Sequence, residues 1–310
     1  MTIEPTDIDV SFNAYTADIK HLVIAGGGHY GLTMYGILRD AHKYGLWKID
    51  NIISMYGTSI GSFVCVIMCM GYDWDTLDKY IIDRPWHDVF HFDIYTIMNA
   101  FEQKGMFTKD VMYNMLKPLF LGKDIPLDIT LKGFFDLNGI DLTVTTTEVN
   151  TLVLTPLSHK THPTWKLVDA IYASCTLPIV FSPIITDTCC YIDGGLFATY
   201  PIELCINDNN KPNEIFGIRK MSGLESINIT NESSFFDFLL VILRNIMRKF
   251  NTNLPHQEIV NEIHIEGGPI SINGIIEFAT SVASRKKLID YGSSLFKTFI
   301  ANKNKTQISK

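Results

Sequence analysis

From Asn51 to Tyr72 the chain runs for 22 positions without a charged side chain. About 20 apolar residues in one helix would cross a bilayer. Gly57-Thr58-Ser59-Ile60-Gly61 interrupts this stretch early, however. A tight turn at that point leaves a short apolar strand before it, Ile49 to Tyr56, and an apolar helix after it, Ile60 to Met70. The segment therefore reads as buried strand, turn and buried helix, and no transmembrane helix is expected. A second unit of the same kind precedes it. His21 to Ala25 is an apolar run, glycines follow at 26, 27, 28 and 31, and Leu32 to Tyr44 has Tyr35, Leu38 and His42 at helical spacing, with Gly45 placed as a C-terminal cap. Strand, helix, strand, helix implies an α/β fold with parallel strands and right-handed crossovers.

Composition agrees with a thick buried sheet. Of 310 residues 46% are hydrophobic and 19% charged, which excludes disorder as the main state. Mean hydropathy is +0.13, a value that also suits a membrane-surface habit. The net charge of −7 repels nucleic acid, so no nucleic-acid partner is expected. Charge is unevenly spread: residues 240–310 hold 10 Lys and Arg against 5 Asp and Glu, and the rest holds 16 against 28. The basic C-terminal part is where an anionic surface could be met. The six cysteines form no disulfide framework, and the acidic N-terminus lacks the apolar core of a signal peptide. A cytoplasmic protein with reduced thiols is the expectation. No C-x-x-C pair occurs, and no metal site is expected.

Trp74 to Ile82, Thr108 to Phe120 and Trp165 to Ala173 read as helices. Between the first two lie Trp86, Phe90, Phe92, Tyr95 and Phe101, which suit a lid rim but are expected in the core. Ile140 to Thr147 alternates with period two and pairs with Thr151 to Leu157. Ile184 to Ile192 reads as a strand ending at Asp193-Gly194-Gly195. Ser233 to Phe250 is amphipathic. Phe235, Phe236, Leu239, Leu240, Leu243, Ile246, Met247 and Phe250 share one face, and Asp237, Arg244 and Arg248 the other. It suits an interfacial helix, but docking on the core is the expectation. The division expected is a polar arm over 1–18, a core over 19–225 and a helical extension over 226–310 packed on the same domain.

Gly57-Thr58-Ser59-Ile60-Gly61 is G-x-S-x-G between a strand and a helix, the context of a nucleophile elbow. Such a turn holds Ser59 at a helix N-terminus, where the helix dipole favours negative charge. The consecutive glycines Gly26, Gly27 and Gly28 leave main-chain N–H groups able to point at an acyl carbonyl oxygen, as an oxyanion hole does. The same string, with Gly31, fits a dinucleotide loop. That reading needs an acidic residue closing the second strand, which instead runs into Gly57-Thr58-Ser59, with Asp50 at its beginning. Ser59 also needs a base. Histidines 256 and 264 follow Asp193, so the chain order of a Ser–Asp–His triad is available. A partly desolvated Asp193 is the alternative, because burial raises a carboxyl's pKa toward neutrality.

Together the glycine loop (Gly26, Gly27, Gly28, Gly31), the elbow (Gly57, Ser59, Gly61) and Asp193-Gly194-Gly195 resemble the patatin-like phospholipases, or lipolytic acyl hydrolases. The run A-S-C-T-L-P-I-V-F-S-P from Ala173 to Pro183 is similar too, and the resemblance covers about residues 20 to 205. It implies a three-layer α/β/α fold with a mostly parallel central sheet and a helical C-terminal region. It also implies a Ser59–Asp193 dyad without histidine, an oxyanion hole at the glycine loop, no metal or other cofactor, and a phospholipid or related acyl-lipid substrate met at a membrane surface. Two positions depart from the usual family pattern: Ala25 stands before the glycines, and Tyr30 stands where an Arg or Lys is common. Two other expectations stay open: a lipid- or membrane-binding protein without turnover, and an esterase using Ser59, Asp193 and His264.

Overall fold

The computed structural model describes residues 15–91, 94–221, 229–252, 257–268 and 271–308. β1 (His21–Ile24) and β2 (Ser54–Thr58) are parallel neighbours, with His21 opposite Ser54 and Ile24 opposite Gly57. Between them α1 (Gly31–Tyr44) makes the crossover and ends at Gly45, whose φ of 91° is the left-handed conformation of a helix C-cap. The second strand starts later than its apolar run. Ile49–Asn51 form a 3-10 turn, and the Ile53 N–H meets Lys20 O at 2.8 Å, where β1's side of the ladder begins. α2 (Ile60–Cys69) is buried at every position from Gly61 to Cys69. Ten residues of helix span about 15 Å, half of a hydrocarbon core. Among the described residues no helix is long and apolar enough to cross a membrane.

α3 (Trp74–Asp83), α4 (Ile94–Gln103), β3 (Gly105–Phe107), α5 (Asp110–Leu121) and α6 (Leu131–Asn138) follow. Trp86 and Phe90 are buried as expected, while Phe101 on α4 is 74% exposed. Phe92 and the side chain of Tyr95 lie outside the described residues. β4 (Asp141–Glu148) is buried continuously from Leu142 to Glu148, although its sequence alternates. It is a central strand, paired on both edges and covered on both faces, and the hydroxyls of Thr145 and Thr147 are hydrogen-bonded inside while that of Thr146 has no partner among the described residues. β5 (Val153–Ser158) pairs with it antiparallel.

α7 (Leu167–Cys175), β6 (Ile179–Phe181), β7 (Ile184–Ile185) and β8 (Cys190–Asp193) come next. The single strand expected over Ile184 to Ile192 is instead a hairpin of β7 and β8. Its polar tip closes through Thr186 N–H to Cys189 O at 2.9 Å and Cys189 N–H to Thr186 Oγ1 at 3.0 Å. The chain continues through α8 (Ile202–Asn207), β9 (Ile215–Lys220), α9 (Phe235–Thr252), β10 (Asn261–Ile265), α10 (Ile272–Thr280) and α11 (Val282–Ile308).

The main sheet runs β10-β9-β1-β2-β4-β8-β7, with β5 also on β4. Pairs β10·β9, β9·β1, β1·β2 and β2·β4 are parallel. Leu22, Ile24 and Met55 face the large core that includes α1 and α2, while Val23 and Tyr56 face a smaller cluster with Ile202 and Cys205 of α8. Helices thus cover both faces, giving three layers. The C-terminal region is not helical throughout, because β10 extends the sheet at β9. α11 packs tightly on α1: a Cβ on Gly36 would stand 2.3 Å from Ile289 O. Residues 1–14 of the expected arm, and the expected boundary at 225, lie outside the described residues.

Candidate active site

The register of β4 decides which residues meet. β2 occupies one edge of β4 over Asp141 to Thr145, ending with Thr58 opposite Thr145. β8 runs the other way and pairs with Thr146 to Glu148, ending with Asp193 opposite Thr146. β5 pairs with Thr143 to Glu148, so it takes the other edge. β2 and β8 therefore lie end to end on one side of β4 with their C-termini converging. The residue after β2 is Ser59 and the last residue of β8 is Asp193, 134 positions apart in sequence. The junction is pinned by hydroxyls: Thr58 Oγ1 donates to Ala198 O at 2.8 Å and lies 2.7 Å from Thr145 Oγ1.

Ser59 sits at the N-cap of α2 with φ 53° and ψ −129°, a conformation costly for a residue with a Cβ. It is held from both sides. Its N–H donates to Ser174 Oγ at 2.9 Å, and its carbonyl accepts from Ser62 Oγ at 2.6 Å. The elbow's glycines are needed for space. A Cβ on Gly61 would stand 2.4 Å from Ile24 O, and one on Gly57 would stand 2.6 Å from Ser62 Cα.

Asp193 is 4% exposed, and the Ser59 hydroxyl is close enough to pull the pKa of its carboxyl down against burial. Oδ1 accepts the Gly195 N–H at 2.7 Å. Burial pushes the carboxyl up to about 6, against the pull of Ser59 and the Gly195 N–H. A carboxylate at that value is charged at neutral pH and far more basic than an exposed one. Gly194 lets the turn close onto β4, since a Cβ there would stand 2.4 Å from Thr145 O.

The glycine loop lies against the elbow. A Cβ on Gly26 would be 3.2 Å from Ser59 Cβ, and one on Gly31 would be 2.4 Å from Ile60 Cγ1. The N–H of Gly26 is not a free donor: it bonds Thr199 O at 2.8 Å. Gly26 therefore brings the loop close but does not supply the oxyanion donor expected of it. Among the described residues no acceptor is recorded for the N–H of Gly27 or Gly28, and Gly28, with φ 56°, opens a 3-10 turn beside Ser59.

Ser59 and Asp193 open onto a cavity of about 140 Å³. Its walls are almost wholly apolar, with Leu32, Phe63, Ile67, Trp86, Phe90 and Met112 among them. An apolar cavity of about 150 Å³ is enough to take up a benzene-sized molecule. Two of the aromatics between α3 and α5 thus serve the core and line the site together.

Comparisons with known proteins give the family of the chain that carries this elbow, buried carboxyl and apolar cavity. The family model for patatin-like phospholipase matches residues 22–206, more than half of the chain. The chain belongs to the patatin-like phospholipase family. It is 27% identical over 207 residues to the probable lipid hydrolase 463L of Invertebrate iridescent virus 6, covering 66% of this chain and 69% of that protein. It is 25% identical over 195 residues to the uncharacterized protein R571 of Acanthamoeba polyphaga mimivirus, covering 63% of this chain and 64% of that one. Among solved structures, VipD from Legionella pneumophila superposes with a TM-score of 0.55 at 15% identity, over 92% of this chain and 67% of that one. This last likeness shows the patatin-like fold. Membership of the family supports lipid hydrolysis as the class of activity.

Within this patatin-like core the histidine alternatives find no support from position. His264 lies on the edge strand β10, three strands from β2, which is roughly 14 Å at sheet spacing. Its Nε2 is 2.5 Å from Glu262 Oε2. His256 lies outside the described residues. His29 lines the cavity, but the charged groups acting on it are Lys220 and Glu277, and burial pushes its pKa down.

Three contributors escaped the sequence reading. Ser174, inside the Ala173 to Pro183 run, accepts the elbow N–H. Asn251 on α9 clamps the turn after Asp193: its amide donates to Gly195 O at 3.0 Å and Leu196 O at 3.2 Å, and its carbonyl accepts from Thr199 N–H at 2.7 Å. Lys220 ends β9 beside Gly27. For Ser174 the motif run was a usable signal. Asn251 and Lys220 carry none, since nothing local distinguishes them from surface residues.

Proposed function

We propose that the protein hydrolyses fatty-acyl esters of phospholipids or related acyl lipids through an acyl-enzyme on Ser59. The observation that carries this is that Ser59 and the buried Asp193, brought together at Thr145 and Thr146 of β4, line one apolar cavity. The acyl chain occupies the cavity and brings its ester carbon to Ser59 Oγ. Asp193 takes the hydroxyl proton as the Oγ–carbon bond forms. Negative charge on the carbonyl oxygen is met by the N–H groups of Gly27 and Gly28, and by the N-terminus of α2. On collapse the proton passes from Asp193 to the departing alkoxide, so the lyso-lipid leaves as an alcohol. Water then gives its proton to Asp193, attacks the acyl-enzyme and releases the fatty acid, and Ser59 regains its proton.

Access from a membrane surface fits α9. This helix stands over the Gly195 turn, where Met247 Cε would be 3.0 Å from a Cβ on Gly195. It is docked as expected, through Leu240 on the core, Asn251 and a ring contact of Phe250 with Phe197. None of its described side chains is fully buried, and Phe235, Phe238, Ile242, Ile246 and Phe250 are each 41–61% exposed. These positions recur every three or four residues, so they form one apolar stripe next to the site. Such a stripe, with Arg244, Arg248 and Lys249 on the same helix, suits the boundary between acyl chains and headgroups.

A fluorophosphonate probe should label Ser59 covalently, and Ser59→Ala should abolish both labelling and fatty-acid release from mixed phospholipids analysed by mass spectrometry. Folded protein that takes no label and releases no fatty acid would overturn the hydrolase reading and favour a protein without turnover.

A further inference from the structure

α10 runs along the cavity from the glycine loop to Trp86. At its start a Cβ on Gly274 would stand 2.9 Å from His29 Nδ1, so the helix opens beside the residue that follows Gly28. One turn further on, the Phe278 ring lies 5.3 Å from the Trp86 ring and 6.0 Å from the Phe90 ring, centre to centre. Ile275 and Phe278 share one side of the helix, and both line the cavity. From Gly274 to Phe278 the helix advances about 6 Å away from the glycine loop. Ser59 and Gly28 therefore stand at one end of the cavity, and Trp86 with Phe278 at the other. Trp86 is backed by the Tyr80 ring at 5.4 Å and by the Arg84 guanidinium at 4.8 Å, and its indole N–H donates to Ile81 O at 2.8 Å.

Arg285 of α11 fastens this end. It is 2% exposed, and its donors go to main-chain oxygens. Nε donates to Ile82 O at 2.9 Å and Nη2 to Arg84 O at 3.4 Å, while Nη1 donates to Phe278 O at 2.6 Å and Ala279 O at 3.4 Å. One guanidinium thus caps the last turn of α3, which orients Trp86, and the last turn of α10, which carries Phe278. Helix C-termini leave carbonyls without intrahelical partners, and a cation suits them. A guanidinium withdrawn from water keeps its charge at low cost only while its N–H groups stay paired, so the bridge fixes the spacing of the two helix ends. With that end shut, a cavity of about 140 Å³ has room for about six carbons beyond an ester carbonyl. α10 and Arg285 lie beyond residues 22–206, which the family model matches, so the closure comes from this chain's own C-terminal region.

We propose that Trp86 and Phe278 close the far end of the acyl cavity and limit the substrate to acyl chains of about eight carbons, with Arg285 as the positioning residue that holds this end shut. This rests on the acyl-hydrolase reading and narrows its substrate to medium-chain esters. Each methylene that enters the cavity leaves water and strengthens binding, until the chain meets the two rings. A longer chain must either leave its tail in water or push Phe278 from Trp86, against the Arg285 bridge.

The test measures kcat/KM for p-nitrophenyl esters from butanoyl to dodecanoyl, each below its aggregation concentration, on the parent, Phe278→Ala, Phe278→Leu, Arg285→Met and Arg285→Lys. In the parent kcat/KM should rise about threefold per added methylene up to about octanoyl and then fall. A parent whose kcat/KM goes on rising through dodecanoyl overturns the closed end. The ratio of dodecanoyl to hexanoyl should increase about tenfold in Phe278→Ala, where the lost ring leaves space for more chain. Phe278→Leu keeps an apolar side chain in case the alanine variant does not fold, and should raise the ratio about threefold. A ratio unchanged in the folded Phe278 variants overturns the assignment. Arg285→Met should raise the same ratio as α10 loosens, and Arg285→Lys, which keeps the charge but not the fork, should fall between it and the parent. A lowered Tm with the ratio unchanged would make Arg285 a structural residue only and overturn its positioning role. If the parent cleaves no ester, the hydrolase reading fails on its own. Calorimetric binding of straight-chain alcohols from butanol to dodecanol then decides the closed end: affinity that levels off near octanol supports it, and affinity that climbs through dodecanol overturns it.

Discussion

Asp193→Asn should inactivate the enzyme and stabilise the fold. In the native protein burial holds this carboxyl at about 6, against 3.8 for an ordinary Asp. Between those two values the folded state binds a proton that the unfolded chain has released. Stability therefore falls as pH rises through that window, and the whole deficit is present above about pH 6, where the buried group must be charged. A displacement of that size corresponds to about 3 kcal/mol. Asparagine has nearly the same shape, keeps an acceptor for the Gly195 N–H and carries no charge to bury. We expect Asp193→Asn to exceed the parent by about 2 kcal/mol at about pH 8, an advantage that shrinks through about pH 6 and vanishes near pH 4. Urea unfolding across this pH range measures it directly. Parent activity should rise with pH through about 6 and then level, as the base loses its proton, while the variant loses on the order of a thousandfold in turnover. A variant less stable than the parent at about pH 8, or a stability difference that does not vary with pH, would refute the claim that Asp193 is a desolvated base.

Three further outcomes follow from the geometry. Ser59→Gly should raise stability by about 1 kcal/mol in urea unfolding while abolishing probe labelling, because it relieves a positive φ that a Cβ makes costly. Gly61→Ala should cost about 3 kcal/mol or prevent folding, seen as lost soluble yield or a lowered Tm, since its methyl would meet the main-chain oxygens of Ile24 and Ala25 at the end of β1 at 2.4 and 2.5 Å. Phe238→Ser combined with Ile242→Ser should weaken sedimentation with phospholipid vesicles about tenfold and leave Tm nearly unchanged, because both side chains are exposed on α9. Unaltered vesicle binding would remove α9 from the membrane contact.

What the sequence alone determined was local. Glycine placement and apolar runs were enough to specify β1, α1, β2 and α2, and to put Ser59 at a bend ahead of a helix, because turn sterics and periodicity act between near neighbours. The same locality made one strand of the β7–β8 hairpin, whose apolar ends are joined by a short polar tip, and made the C-terminal region look wholly helical, because the five residues of β10 carry too short a pattern to stand out. Residue order left a histidine open as the base and the resemblance implied Asp193, but only tertiary structure shows how that acid comes to lie beside Ser59. That depends on β2 and β8 sharing one edge of β4, and a ladder's register is set by the whole sheet. It also decided that Gly26 spends its N–H on Thr199, that Asn251 fastens α9 to the turn after Asp193, and that Lys220 stands over Tyr30. Each of these joins chain segments through a contact whose energy exists only after the sheet has closed, so no window of sequence contains it.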